Sequence, residues 1–272
     1  MRLLLIGIGV FFCIQVGRAH GDFHERLQKV TAEINMNQDS AFLFFKRGKL
    51  YFHHDEYPAA LKDLQQATIL GLDDKFCDLF FAKTYQQLDS LDLALLYIEK
   101  IERKDTANVV ALKTKAQIYF NKREYQLSAL TYEEVITKSR RTIPENYLEA
   151  ATSWELLKTE LGKANALSIL QQGIAQLGPL FTFYREIREL HIRSKDFEKA
   201  LVVQKNIIEL SNRKETAFYK AAEICLLFDN KEAAREYLSL GLEAVNTLPN
   251  RLKNNKAVIT LQQKMENILL KL

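Results

Sequence analysis

Apolar positions in the first stretch after residue 21, Phe23, Leu27, Val30 and Ile34, fall three or four apart. That spacing marks one face of an α-helix and predicts a helix over Asp22 to Met36. At the other end, Leu252, Val258, Leu261, Met265 and Leu269 lie roughly at helical spacing and predict a helix over Asn250 to Leu272. Between these two, small residues recur in one context at Ala60, Ala94, Ser128, Ala166, Ala200 and Ala234, with gaps of 34, 34, 38, 34 and 34. Four residues beyond them come Leu64, Ile98, Tyr132, Leu170, Gln204 and Leu238, and a second small set stands at Gly48, Ala82, Ala116, Ala151 and Ala222. A regular period of this length is one supersecondary unit that cannot bury its apolar face alone and must stack on its neighbours. Small residues then mark close backbone approaches, and Tyr and Phe fill the gaps between units.

The pattern predicts an all-α chain with no β-sheet. Six helical hairpins are expected over 41–74, 75–108, 109–142, 144–180, 181–214 and 215–248, with capping helices in 20–40 and 249–272. The 38-residue gap places extra length between the helices of the fourth unit. Self-association is the alternative use of the last helix.

Composition agrees. Ten Gly and four Pro in 272 residues are too few for the turns of an all-β sandwich or barrel. Pro58, Pro144, Pro179 and Pro249 fall at expected helix starts, where a missing N–H costs nothing. Asp55, Asp89, Lys122 and Asp229 mark short turns inside units. Three Cys exclude a disulfide scaffold, and Cys77 and Cys225 belong to distant units, so they are expected to stay unbonded and pack as small apolar groups.

The chain opens Met1-Arg2, runs apolar from Leu3 to Val16 and continues Gly17-Arg18-Ala19. A basic start, a short apolar run and a small-x-small site predict a secretory signal peptide over 1–19, cleaved near Ala19. Cys13 follows Phe11-Phe12 rather than a small residue, which argues against lipidation. Removal of Arg2 and Arg18 leaves 36 basic against 34 acidic residues, a balance that does not point to nucleic acid. Lys138-Ser139-Arg140-Arg141 is read as a solvated loop. The expected location is the periplasm or the exterior, with no transmembrane segment after signal removal.

Candidate chemistry is sparse. His53-His54-Asp55-Glu56 reads as a polar turn, because neighbouring helical residues diverge by about 100° and cannot easily share a metal. His20, with its amino group if it begins the mature chain, and His24 could hold Cu(II), against the plainer reading of a frayed terminus. No H-E-x-x-H, G-x-S-x-G or G-x-x-x-x-G-K-[ST] is present. The expectation is a protein that is not an enzyme and needs no cofactor and no metal.

The first unit reads Phe44-x2-Arg47-Gly48-x2-Tyr51, then Tyr57-x2-Ala60-x3-Leu64-x2-Ala67. This resembles the tetratricopeptide repeat pattern W-x2-L-G-x2-Y…A-x3-F in order and spacing, and the resemblance extends over about residues 41 to 246. It implies a right-handed superhelical solenoid whose first helices line a concave surface. Carried over to that surface are Phe42, Phe45, Lys49 and Phe52 in the first unit, Phe76 and Lys83 in the second, and Lys113 and Phe120 in the third. The three phenylalanines Phe42, Phe45 and Phe76 could instead pack against the first helix or neighbouring units. The surface of units four to six mixes acids with Arg. Phe45, Lys49 and Phe80 depart from the paired Lys and Asn with which one subset of the family grips a terminal carboxylate. The resemblance to exported bacterial members implies an adaptor that binds a protein or peptide partner and is a monomer or weak homo-oligomer. The alternative is a self-associating component of an envelope assembly.

Overall fold

The computed structural model describes residues 23–272. The expected signal peptide, its cleavage site near Ala19 and His20 lie outside the described residues. The described chain is all-α, with no strand among those residues. Helix α1 spans residues 23–36. Six antiparallel pairs follow: α2 (Ala41–His53) with α3 (Tyr57–Ile69), α4 (Lys75–Gln87) with α5 (Leu91–Lys104), and α6 (Val109–Asn121) with α7 (Tyr125–Lys138). The remaining pairs are α8 (Pro144–Glu155) with α9 (Glu160–Leu177), α10 (Phe181–Arg193) with α11 (Phe197–Leu210), and α12 (Lys214–Leu227) with α13 (Lys231–Thr247). The chain ends with α14 (Asn250–Lys253) and α15 (Lys256–Leu269).

Each pair is held by close approach at its small residues. Ala60, Ala94, Ser128, Ala166, Ala200 and Ala234 are all fully buried. Where the others present a methyl group, Ser128 needs a hydrogen-bond partner, and its hydroxyl donates to the Ala116 carbonyl at 2.9 Å. Leu64, Ile98, Tyr132, Leu170 and Leu238, one turn further on, are buried as well. The fifth pair departs from this rule. Arg188 stands where the others carry a small residue, and Gln204 where they carry a large apolar one. Both are buried; the Arg188 guanidinium donates to Gln204 Oε1 at 2.8 Å, and Gln204 Nε2 donates to the Ala217 carbonyl at 2.7 Å.

One non-glycine residue in each pair takes the left-handed conformation: Asp55, Asp89, Arg123, Lys158, Lys195 and Asp229, with φ between 54° and 61°. In five of these turns the next N–H reaches back to the carbonyl five residues earlier, as Asp196 does to His191 at 2.8 Å and Glu56 to Tyr51 at 3.0 Å. This is the capping geometry that closes a helix end on its orphan carbonyls. The turn residue of the third pair is thus Arg123 rather than Lys122. The turns at Lys158 and Lys195 carry no turn-forming side chain, so composition concealed them.

The 38-residue gap is absorbed mainly by helix. Ala166 lies six residues into α9, whereas Ala60, Ala94 and Ser128 lie three residues into theirs. The added turn begins at Thr159, whose hydroxyl accepts from the Gly162 N–H at 3.0 Å. The single last helix expected from sequence is two, because Asn255 accepts from the Ala257 N–H at 2.9 Å and starts a new helix after the break.

Contacts divide the chain into two compact units, the first ending at Lys138 and the second running Ser139–Leu272. In the first unit, α1 lies on α2. Val30 and Ile34 are buried, and Phe23 stacks on His54 with ring centroids 3.4 Å apart. Arg47 ties three helices together: it is bidentate to the buried Asp63 of α3 at 2.7 and 2.8 Å and donates to Thr31 of α1 at 3.3 Å. In the second unit, Val258 and Met265 of α15 are buried in one core with Ala222, Cys225, Leu238 and Val245. Full burial of such a side chain contributes about 1.5–3 kcal/mol. Cys77 and Cys225 are both buried and unbonded.

Two outcomes follow from these contacts. A Cβ on Gly173 of α9 would sit 2.8 Å from the ring of Phe183 of α10, which is fully buried. Gly173→Ala should therefore lower stability by about 1 kcal/mol, since overpacking of about 1–3 kcal/mol exceeds the helix-propensity gain. Gly173→Ala with Phe183→Leu should recover most of the loss, and urea denaturation of the three proteins checks this. At the Lys195 turn, Lys195→Gly should be neutral to stabilising by about 0.5 kcal/mol, because relief of the left-handed penalty outweighs the added chain entropy. Lys195→Val should cost about 1 kcal/mol or more in the same assay, because a β-branched residue resists positive φ.

Candidate functional site

The first helices of the first unit, α2, α4 and α6, touch in series and form one face. The eight residues placed there from sequence divide into three groups. Phe42 and Phe76 stand out from it, with 64% and 59% of their surface exposed. Lys49, Phe52, Lys83, Lys113 and Phe120 are half-buried along it. Phe45 is buried in a core cluster with Leu64, Ala67, Cys77 and Phe81. It supports this face from beneath, so the expectation that it offers binding surface is corrected. Its helical position points it at the next pair, where burial gains more than exposure.

Phe80 organises the centre of the face, and the family spacing did not single it out. Its ring meets Phe45 edge-on at 5.8 Å, Phe52 at 5.4 Å and His53 at 5.9 Å. The Lys49 ammonium lies 5.4 Å from the centroids of both Phe45 and Phe80. Cations so placed over ring faces gain about 0.5–2 kcal/mol, which holds Lys49 in place. A signal existed: the position of Phe80 is Lys46, Thr114, Glu149, Glu186 and Lys220 in the other units, so it alone is aromatic. Phe120 packs edge-on against Tyr125 at 5.5 Å. The Lys83 ammonium is pushed below the usual lysine range by burial, with no carboxylate to offset the loss of water.

At the start of the face lies a pocket of about 430 Å³ between α1 and α2. Arg26, Lys29 and Val30 of α1 form one wall, and Phe42, Phe45, Lys46, Lys49, Leu50 and His53 of α2 form the other. None of these nine residues is acidic. Lys46 reaches Glu33 at 2.9 Å, beyond the lining. Arg26 and Lys29 flank the buried stripe of α1. Their i,i+3 spacing was visible in the sequence, but only the docking of α1 on α2 brings them beside Lys49.

The corresponding helices of the second unit are arranged differently. Arg193 binds Glu155 of α8 and Glu186 of its own helix, the latter at 2.7 Å. A cavity of about 710 Å³ among α10, α11 and α12 is lined by Phe181, Arg188, Gln204, Tyr219, Lys220 and Glu223, among others. Its cations face carboxylates of their own unit: Arg188 meets Glu189 at 2.5 Å, Lys220 meets Glu223 at 3.1 Å, and Arg213 pairs with Glu215. Cations and carboxylates thus pair in both units, as Lys46 with Glu33 does in the first and Lys220 with Glu223 in the second.

No three His, Cys, Asp or Glu side chains among the described residues come together as a metal-binding set. No described helix is long and apolar enough to cross a membrane.

No family model matches the chain. Over 178 residues it is 28% identical to neutrophil cytosol factor 2 of Mus musculus, covering 56% of this chain and 31% of that protein. Over 140 residues it is 26% identical to the chloroplastic tetratricopeptide repeat domain-containing protein PYG7 of Arabidopsis thaliana, covering 50% of this chain and 46% of that one. The chain thus spans less than half the length of these curated relatives. Among solved structures it is similar to the C-terminal part of a TPR repeat-containing protein from Cytophaga hutchinsonii. The TM-score there is 0.68 at 15% identity, with 89% of this chain and 95% of that chain covered. Hairpin period, small-residue contacts and these similarities agree, and the fold is that of the tetratricopeptide repeat proteins.

Proposed function

We propose that this chain is a non-catalytic interaction scaffold, exported from the cytoplasm, that holds a protein or peptide partner along the face built by α2, α4 and α6. The carrying observation is the composition of that face. Phe42 and Phe76 expose more than half their surface at equivalent places in adjacent units, beside half-buried Lys49, Lys83 and Lys113. Large apolar groups in an aligned series, rimmed by charge, are a mark of interaction surface. Helical-repeat folds supply such extended faces, each unit contributing one helix. Export is supported by the basic and apolar pattern of residues 2–19.

Phe42→Ala with Phe76→Ala should reduce recovery of a partner on the immobilised full chain at least about fivefold, since truncated aromatic anchors dominate binding losses. The melting temperature should stay within about 2 °C, because both rings are exposed. Equal recovery would remove the face from the function. N-terminal sequencing of the chain recovered from its own cells should give a start at His20 or Asp22; a start at Met1 or Arg2 would exclude a cleaved signal peptide and leave a retained signal anchor.

A further inference from the structure

We propose that the cavity among α10, α11 and α12 binds a compact, uncharged ligand with an aromatic or branched apolar body and a carbonyl-type acceptor held by Arg188. The residues of this site all belong to the second unit, so the proposal stands apart from the scaffold reading.

The site begins with an exception in the repeat. The other five hairpins carry a buried small residue on the first helix and a buried large apolar one on the second, such as Ala82 and Ile98 or Ala116 and Tyr132. The fifth buries Arg188 and Gln204 at these places. A buried ion with its partners is often no more stabilising than apolar side chains of similar volume, so folding alone does not account for the exchange. Both side chains line a space of about 710 Å³, inside the range of about 300–1,000 Å³ that small-molecule sites occupy.

Arg188 is fixed from two sides. Its Nε and one terminal nitrogen donate to Glu189 Oε1 at 3.1 and 2.5 Å, and the other terminal nitrogen donates to Gln204 Oε1 at 2.8 Å. Gln204 Nε2 is itself tied to the Ala217 carbonyl at 2.7 Å, which sets the way its amide faces. A guanidinium has five N–H groups, so one on each terminal nitrogen has no acceptor among the described residues. A buried donor without a partner is costly, and an acceptor on a ligand would remove that cost. Because the donor is already held in place, little freedom is lost when the ligand arrives.

The charges around the space are matched: Arg188 with Glu189, Arg213 with Glu215 and Lys220 with Glu223. A carboxylate ligand would have to displace one of these acids, and an ammonium one of these cations. Charge balance therefore selects an uncharged ligand. Ile207 and Ala217 are buried in the lining, while Phe181 and Leu210 leave 46% and 41% of their surface exposed. An apolar body would cover those two side chains. Polar groups converge on the space from three segments: Arg188 of α10, Asn212 of the α11–α12 connection and Thr216 of α12. Convergence of this kind suits a compact molecule, whereas an extended peptide uses anchors repeated from helix to helix.

The probe is prodan, an uncharged naphthalene carrying one ketone, whose emission reports burial and hydrogen bonding at that ketone. It is titrated with the full chain, beside the same aminonaphthalene without the ketone and the anionic dye anilinonaphthalenesulfonate. Prodan should saturate one site with a dissociation constant below about 100 μM. The ketone-free analogue should bind at least about fivefold more weakly, through loss of one hydrogen bond to a charged donor. Thr216→Trp, at an exposed position of the wall, should fill the space and weaken prodan at least about tenfold, with the helical signal in circular dichroism unchanged. Arg188→Met should bring prodan and its ketone-free analogue within about twofold of each other. Phe42→Ala with Phe76→Ala should leave prodan binding unchanged.

No saturable prodan binding, equal binding of the ketone-free analogue by the unaltered chain, or unchanged binding by Thr216→Trp would each overturn the proposal. So would tighter binding of the anionic dye than of prodan, or displacement of prodan by an uncharged peptide with a central Phe at a concentration below prodan's own dissociation constant. Loss of prodan on Phe42→Ala with Phe76→Ala would also overturn it, by placing the probe on the first unit. The scaffold reading fails separately, on partner recovery by that same variant.

Discussion

Everything in this structure depends on how closely two helices can approach at one small residue per hairpin. Ala60, Ala94, Ser128, Ala166, Ala200 and Ala234 have no exposed surface, and each lets the second helix of its pair lie against the backbone of the first. A larger side chain at such a point must displace packed neighbours, since protein interiors have little spare volume. The same constraint recurs at glycines: between pairs Gly173 admits the Phe183 ring, and within the first pair a Cβ on Gly48 would come within 3.3 Å of the Ala60 carbonyl. With the contact distance set, the rotation of each helix is set too. Within each compact unit, residues of equal position in successive repeats are then brought onto one face.

That register turns a one-dimensional pattern into a surface. Phe42 and Phe76 are exposed at equivalent positions because α2 and α4 pack in the same orientation, and Lys49 and Lys83 recur for the same reason. Departures from the pattern then become informative. Phe80 replaces the polar residue found at its position elsewhere and gathers Phe45, Phe52, His53 and Lys49 around one ring. Arg188 and Gln204 replace a small and a large apolar residue, and they survive burial because Arg188 donates to Gln204 and Gln204 donates to the Ala217 carbonyl.

Ion pairs occur in both units, as Lys46 with Glu33 and Arg47 with Asp63 show for the first. On the second unit's first-helix face, Arg193 with Glu155 and Glu186, and Lys220 with Glu223, neutralise one another. On the first unit's face the cations sit over rings or in partial burial. Exposed pairs of the first kind add little stability, but they quench the field that would draw an anion.

The number of hairpins, their period, the small contact positions and most helix starts were legible in the sequence. They are repeated six times, and each repetition obeys the same local rule. The positive-φ turns at Arg123, Lys158 and Lys195 were not legible, because Lys and Arg carry no turn preference and the packed hairpin imposes the conformation. The division of the last segment into α14 and α15 depended on a single Asn255 cap. Sequence alone also determined which residues could share the first-helix face, since that follows from helical period. Only the tertiary structure decided which of them are surface: Phe45 faces the next pair and is buried, whereas Phe42 faces outward. It alone placed Arg26 and Lys29 beside Lys49, because that neighbourhood depends on how α1 docks against α2, a contact between residues about twenty apart that no local pattern encodes.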